Sequence, residues 1–365
     1  MRILFISVTA GEGHNAFARA IIDYYKENYS DVECKLIDLF KPKHKVHSFL
    51  NNEFTFFTFR HFPRLMSLNY KLSTKRKVNP DINYSLSQAK CAKEDILKVI
   101  NEYQPDAIFT THTYSTALIN YLNRKKIVNI PSFSLIPDFV IHPDVENNID
   151  SNLCFVSNKY VYDEIISRGF DPQKIVVSGL PINPSFNKIN DINLNLDPNK
   201  KTILVMFGGM GLHKNHIIVK KLIPLLDKIN LIVINGKDKK SYRRIKKINN
   251  PNVINLEYVS DVASIMAKSN LLIGKVGGAS TSEAFHFNLP IVVPFPAYFQ
   301  ENASIKLLES LNIVKKSSLR TIDIDVKILL NMQGIDKNIH LIHNDLANKI
   351  IAEKVYNYIK NKTSI

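Results

Sequence analysis

Ile3-Leu4-Phe5-Ile6-Ser7-Val8-Thr9-Ala10-Gly11-Glu12-Gly13-His14 is the stretch on which the fold class turns. Residues 3–8 form an apolar run of the kind that is buried on both faces of a parallel sheet. Gly11 and Gly13 mark a turn, residues 16–26 follow with a helical pattern, and 33–39 read as a second strand. A β-loop-α-β opening implies a crossover and hence a parallel sheet, so the class is α/β.

Outward from this stretch the alternation continues. Strands are predicted at 107–110, 132–136, 153–156 and 175–177, with helices at 88–102, 114–122 and 159–168. The pattern restarts with a buried-type strand at 202–207 and the turn Gly208-Gly209-Met210-Gly211. Strands at 230–234, 253–256, 271–273 and 291–293 and helices at 215–226, 280–287 and 345–360 complete it. The expectation is an N-terminal domain over 1–185, a polar linker over 186–200 and a C-terminal domain over 201–345. A terminal helix over 346–365 is expected to pack back on the first domain. Two Rossmann-like domains of this kind are expected to face each other, with ligand in the cleft at the carboxyl ends of their strands.

The chain has 365 residues, and 45% of them are hydrophobic, enough to bury two cores. The formal net charge of +15 favours an acidic partner: anionic lipid, nucleic acid or a phosphorylated substrate. Cys34, Cys91 and Cys154 are scattered without metal-ligand spacing, which argues against a zinc site or a disulfide framework. The apolar start is too short for a signal-peptide core, and no run approaches the roughly 20 apolar residues of a spanning helix.

The sharpest motif is Gly274-Lys275-Val276-Gly277-Gly278-Ala279-Ser280-Thr281-Ser282-Glu283-Ala284. A strand ends, glycines turn and a helix starts, and Ser280 and Glu283 have capping-box spacing. Free amides and the positive dipole end of a helix suit a phosphate, although an ordinary capped loop has the same pattern. Gln300-Glu301-Asn302-Ala303 then supplies a polar cluster after the next strand. The turn at 208–211 lacks the Gly-Lys-Ser/Thr ending of an ATPase loop, which argues against ATP hydrolysis.

This region resembles the C-terminal domain of the family-28 type glycosyltransferases, whose pattern is Gly-Gly-x-Thr/Ser-x-x-Glu-Ala followed by Asn-Ala. The segments at 7–14, 111–118, 137–143 and 175–184 resemble the diacylglycerol glycosyltransferase branch, so the likeness spans nearly the whole chain. It implies the GT-B fold and an inverting transfer of a hexose from UDP-glucose or UDP-galactose to diacylglycerol or a similar lipid. By this resemblance Gly208, Gly209, Gly211, Lys275, Gly277, Gly278, Ser280 and Thr281 bind the donor. Glu283 takes the ribose hydroxyls, and Gln300, Glu301 and Asn302 lie toward the sugar. The sequence departs from that branch where Ala297-Tyr298-Phe299 replaces a Gly-Gln-Glu stretch, which leaves the sugar open.

His14 is the leading base, because a neutral imidazole matches proton abstraction near pH 7. By itself it also fits a residue that only packs at the helix start. Asp138 is the second candidate, as base or as the partner of a histidine. Gly13, His112 and His142 are placed on the acceptor side. No Asp-x-Asp pair suited to a divalent ion is recognised, so metal independence and no cofactor besides the donor are expected. Residues 49–77 interleave Phe56, Phe57 and Phe59 with Arg60 and Arg64, a composition for docking an anionic membrane. A peripheral enzyme on the cytoplasmic face of the cell membrane is expected, with no nucleic-acid partner. A peptidoglycan-precursor glycosyltransferase, a nucleotide-sugar epimerase and a non-catalytic nucleotide-sugar sensor are the alternatives.

Overall fold

The computed structural model describes residues 1–9, 13–40, 79–209, 214–295 and 299–363, without the side chains at 299, 300 and 363. The chain divides into two units, Met1–Asn183 with Tyr298–Gln300 and Asn344–Ile365, and Pro184–Ala297 with Glu301–His343.

The first unit holds strands β1 (Arg2–Ser7), β2 (Glu33–Asp38), β3 (Ala107–Thr110), β4 (Ser132–Ile136), β5 (Leu153–Val156) and β6 (Ile175–Val177). They form one sheet in the order β2-β1-β3-β4-β5-β6, every pair parallel. Its described helices are α1 (Gly13–Asn28), α2 (Tyr84–Ala89), α3 (Lys93–Tyr103), α4 (Thr113–Arg124) and α5 (Lys159–Ser167). The apolar run of β1 is buried from Ile3 to Ser7, as a strand between two neighbours in a covered sheet must be. Phe5, Phe109 and Phe155 stack across the sheet with centroids 5.2 and 5.8 Å apart.

The second unit repeats the plan with β7 (Lys201–Met206), β8 (Ile229–Ile234), β9 (Val253–Leu256), β10 (Leu271–Ile273), β11 (Ile291–Val293) and β12 (Val314–Lys316). The order is β12-β11-β10-β7-β8-β9, again all parallel. The helices are α6 (Asn215–Leu222), α7 (Lys239–Lys246), α8 (Val262–Ala267), α9 (Gly278–His286), α10 (Phe299–Ser310), α11 (Ile322–Leu330) and α12 (Ile335–Ile339). Residues 188–200 have no helix or strand and lie along this unit, where Asn190 bonds Ser264 and Asp261 and Asp197 bonds Asn230. Finally α13 (Ala347–Thr363) belongs to the first unit. Tyr25 Oη donates to the Ala352 carbonyl at 2.9 Å, and Asn152 Nδ2 donates to Tyr358 Oη at 2.7 Å.

In each sheet the chain steps outward on one side of the first strand and returns on the other. The switch points therefore fall between β1 and β3 and between β7 and β10, where ligands bind at the carboxyl ends of such sheets.

Several elements differ from expectation. The helix expected at 88–102 starts at Tyr84 and is interrupted by a 3₁₀ turn over Lys90–Ala92. The one expected to reach 226 stops at Leu222, because Pro224 lacks the amide an α-helix needs and a 3₁₀ turn takes over. Helices α7, α8, α10, α11 and α12 and strand β12 have no counterpart in the pattern reading. In α7 five of eight residues are Lys or Arg, so an apolar period is hardly present. The proposed docking segment at 49–77, with Phe56, Phe57, Phe59, Arg60 and Arg64, lies outside the described residues.

Candidate active site

In the first unit, a cavity of about 380 Å³ opens at the β1/β3 switch point. His14, His112, His142, Asp138 and Asp144 line it together with Tyr84, Ser85 and Tyr114. His14 sits in the first turn of α1, and His112 caps α4 directly after the β3 end. Thr9, just after β1, is held from both sides: its N–H donates to Asp38 Oδ2 at 3.1 Å and its Oγ1 accepts from Asn15 Nδ2 at 2.9 Å.

Hydrogen bonds fix the three imidazole tautomers. The Thr111 carbonyl, 2.7 Å from His14 Nδ1, can only accept, so the His14 proton sits on Nδ1 and Nε2 is the basic nitrogen. His112 Nδ1 accepts from the Tyr114 amide at 3.1 Å, and His142 Nδ1 accepts from the Asp144 amide at 3.2 Å. In their neutral forms these two rings carry the proton on Nε2. The His14 and His112 rings meet edge-on at 4.5 Å. Burial holds all three below the usual histidine value, most strongly His112. For His14 the bond to Thr111 opposes burial, and His142 adds to it. For His142 the Asp144 charge opposes it. The cavity thus offers one neutral base beside two N–H donors, an arrangement that receives a hydroxyl group and can take its proton.

Asp138 follows β4, and its main-chain oxygen accepts from Ser157 Oγ at 2.6 Å. Gly13 begins α1, and a methyl there would meet nothing within 4 Å. The motif reading missed Asp144, Ser85, Tyr84 and Tyr114. Ser85 donates to Asp144, which secures the turn that carries His142. Tyr114 lies within the segment 111–118, on α4, whereas Tyr84, Ser85 and Asp144 stand in no pattern that marks them; only the folding of α2 and the loop after β4 brings these three to the cavity.

In the second unit, two loops meet at the β7/β10 switch point. Gly208 and Gly209 follow β7, and residues 274–277 join β10 to α9. Lys275 Cε lies 3.7 and 3.9 Å from where methyls on Gly277 and Gly208 would stand, so this lysine belongs to both loops. Helix α9 starts at Gly278 with Gly277 as N-cap and no side-chain cap. The expected capping box is therefore not formed: Ser280 lies inside the first turn rather than ahead of it. The consequence suits an anion, since no side chain occupies the first amides. The hydroxyl oxygens of Thr281 and Ser282 are buried without a hydrogen-bond partner.

Glu283 is on the same helix, and burial raises its carboxyl to about 7. Glu301 and Asn302 lie in the first turn of α10, with Lys316 Nζ 3.5 Å from Asn302 Oδ1. The Gln300 side chain and Gly211 lie outside the described residues. One Asp-x-Asp does occur, Asp323-Ile324-Asp325, which the motif reading passed over. It lies in the first turn of α11, where residues two apart point to different sides, and the buried Asp325 accepts from Ser317 Oγ at 2.7 Å.

Gly236 braces the first of these loops. Its φ is +59°, and a methyl there would stand 2.4 Å from the Gly209 carbonyl oxygen. Gly236→Ala is expected to cost ~1–2 kcal/mol from the left-handed backbone alone, and more from the clash. Thermal denaturation would show it.

Residues 14–182 match the monogalactosyldiacylglycerol (MGDG) synthase family model, and 202–310 match the glycosyltransferase family 28 C-terminal domain model. The chain is 26% identical over 302 residues to the processive diacylglycerol beta-glucosyltransferase of Bacillus subtilis, covering 78% of this chain and 75% of that one. It is 27% identical over 311 residues to the protein of that name from Staphylococcus aureus, covering 82% and 77%. Among solved structures, UDP-GlcNAc 2-epimerase from Neisseria meningitidis bound to UDP-GlcNAc superposes with a TM-score of 0.61 at 15% identity, covering 98% and 100%. Acinetobacter baumannii MurG does so at 0.58 and 12%, covering 98% and 99%. At these identities the structural likeness establishes the two-domain α/β fold alone.

Proposed function

We propose, for a chain that joins an MGDG synthase domain to a glycosyltransferase family 28 C-terminal domain, that it transfers a hexose from a UDP-sugar to diacylglycerol or a similar membrane lipid. The observation that carries the reading is the His14 tautomer: a half-buried imidazole, kept neutral by desolvation, whose Nδ1–H is committed to Thr111, inside a cavity large enough for a glycerol head. The curated relatives, named for glucosyl transfer to diacylglycerol, favour a lipid acceptor.

The chemistry is a single displacement with inversion. The acceptor hydroxyl oxygen forms a bond to the anomeric carbon while the bond from that carbon to the diphosphate oxygen breaks. His14 Nε2 takes the hydroxyl proton, and the Thr111 carbonyl steadies the imidazolium that results. UDP leaves with the bonding electrons. Its added negative charge is met by the open amides of α9 and by Lys275, preorganised dipoles and charge of the kind that stabilise a leaving anion. Metal independence follows from this assignment, because the charge is answered by the chain itself. No described helix is long and apolar enough to cross a membrane. In this reading the enzyme works from the membrane surface, on its cytoplasmic face.

The test is direct. Purified protein with UDP-glucose or UDP-galactose, diacylglycerol in anionic liposomes and excess EDTA is expected to yield a hexosyl-diacylglycerol by mass spectrometry of the lipid extract. UDP binding without any adduct would discard the lipid acceptor. An adduct formed only when a divalent cation is restored would discard metal independence.

A further inference from the structure

The second unit carries a cationic surface that the transfer chemistry does not use. In and beside α7, Lys239, Lys240, Arg243, Arg244, Lys246 and Lys247 are all exposed. Ser241 and Ile245 face inward and are buried, so at 100° per residue the six cations share one side of the helix. Helix α7 packs beside α6, whose Lys220 and Lys221 are also exposed. Residues 214–247 contain eleven Lys and Arg against two Asp. One of those two, Asp238, is buried and caps α7 by accepting from the Ser241 amide at 3.0 Å. It therefore leaves the outer face uncompensated.

Three helical lysines elsewhere are compensated within their own helix. Lys98, Lys159 and Lys349 each stand four residues before an acid, Glu102, Asp163 and Glu353, that pairs with them. Among the described residues, none of the six α7 cations has a carboxylate within ion-pair distance. Like charges stand at i and i+4 three times, at 239/243, 240/244 and 243/247, which disfavours an isolated helix. The cations also converge across the two helices. Besides its burial, the positive charges of Arg244, Lys220 and Lys240 lower the pKa of His216 on α6, against a weaker opposing pull from Asp238. An uncompensated field of this density is satisfied by a polyanionic surface.

We propose that the α6–α7 face of the second unit docks against an anionic lipid bilayer. The proposal rests on the reading of this chain as an enzyme with a membrane-lipid acceptor, and adds a contact separate from residues 49–77. Charge complementarity carries it: long flexible lysines on a helix face engage a diffuse anionic plane. The face also lacks what single-stranded nucleic acid uses, exposed aromatics for stacking, because the one aromatic of α7, Tyr242, is half-buried.

The experiment is vesicle sedimentation of the full chain, using phosphatidylcholine with and without 30% phosphatidylglycerol at several salt concentrations. K240Q/R243Q/K247Q removes one stripe of the face while keeping good helix formers. K306Q/K337Q/K354Q removes the same charge from exposed lysines on other helices. At about 1 kcal/mol for each basic group near the surface, the first variant is expected to bind anionic vesicles roughly 100-fold more weakly. The control is expected to stay within about fivefold, the worth of a single charge. The α7 variant should keep transfer to a short-chain diacylglycerol in neutral micelles. Equal loss in both variants, or none in the first, overturns the proposal. So does tighter binding of a 30-nucleotide RNA than of the vesicles at the same salt, lost in the α7 variant. If wild-type protein transfers no sugar but the vesicle results are as expected, the docking surface is supported and the enzymatic reading fails separately.

Discussion

His14→Ala is expected to lower kcat for hexose transfer by roughly 10²–10⁴-fold, the usual contribution of a positioned general base, with the Kd for UDP unchanged. His14→Asn keeps a donor for the Thr111 carbonyl but no basic nitrogen, and should be equally impaired. The pH profile gives an independent check. Burial holds the imidazole below its ordinary 6.5, so the basic form persists to lower pH. In wild type the acid limb of kcat/KM should therefore have its midpoint below 6.5. If Asp138 is the base instead, Asp138→Asn will carry the large loss, His14→Ala a mild one, and the limb will fall in the carboxylate range. Asp138→Asn is otherwise expected to be the milder variant.

Glu283→Gln should separate stability from binding. The carboxyl of Glu283 is raised from 4.5 to about 7 by burial alone, and among the described residues it has no hydrogen-bond or ion-pair partner. The folded chain thus keeps its proton up to about pH 7, while the unfolded chain releases it near 4.5. This group's contribution to stability is complete below 4.5 and is lost as pH rises through 7. The interval corresponds to about 3 kcal/mol, reduced by the partial access of the side chain. At pH 8 the Gln variant without nucleotide is expected to be more stable than wild type by roughly 1–3 kcal/mol, with little difference at pH 4.5. Urea unfolding at the two pH values measures this.

The same carboxylate, once it accepts ribose hydroxyls, has partners and should ionise. Binding of UDP near pH 6.5 is then expected to release protons, read by calorimetry in buffers of different ionisation enthalpy. Glu283→Gln should weaken UDP by roughly 10- to 100-fold, the worth of a hydrogen bond to a charged group. An unchanged UDP affinity would remove Glu283 from the nucleotide site, and unchanged stability at pH 8 would mean that the native carboxylate is not destabilised.

Much of the fold was legible because it is written locally. Buried parallel strands need continuous apolar runs, and the predicted strands at 107–110, 132–136, 153–156, 175–177, 253–256, 271–273 and 291–293 coincide with those observed. Helices failed where the local signal fails. The charged surface of α7 hides its period, and α12 has only five residues. The Ser280–Glu283 spacing resembled a cap, but Gly277 takes the N-cap position with an extended backbone and the helix begins two residues before Ser280. Local spacing cannot choose between two adjacent starts when the decision depends on where β10 ends.

By itself, then, the sequence determined the α/β class, the duplicated plan and the glycines that follow β7 and β10, because backbone conformation and strand burial are encoded within a few residues. Only the tertiary structure decided which distant groups meet. His14 and Thr111 are 97 positions apart, and their 2.7 Å hydrogen bond exists because β3 pairs beside β1. Lys275 reaches Gly208 because β10 returns to lie against β7. Sheet order is a non-local outcome of packing and crossover handedness. The tautomer of His14 and the raised carboxyl of Glu283 follow from that packing, because burial and hydrogen-bond partners are properties of the assembled unit rather than of either residue.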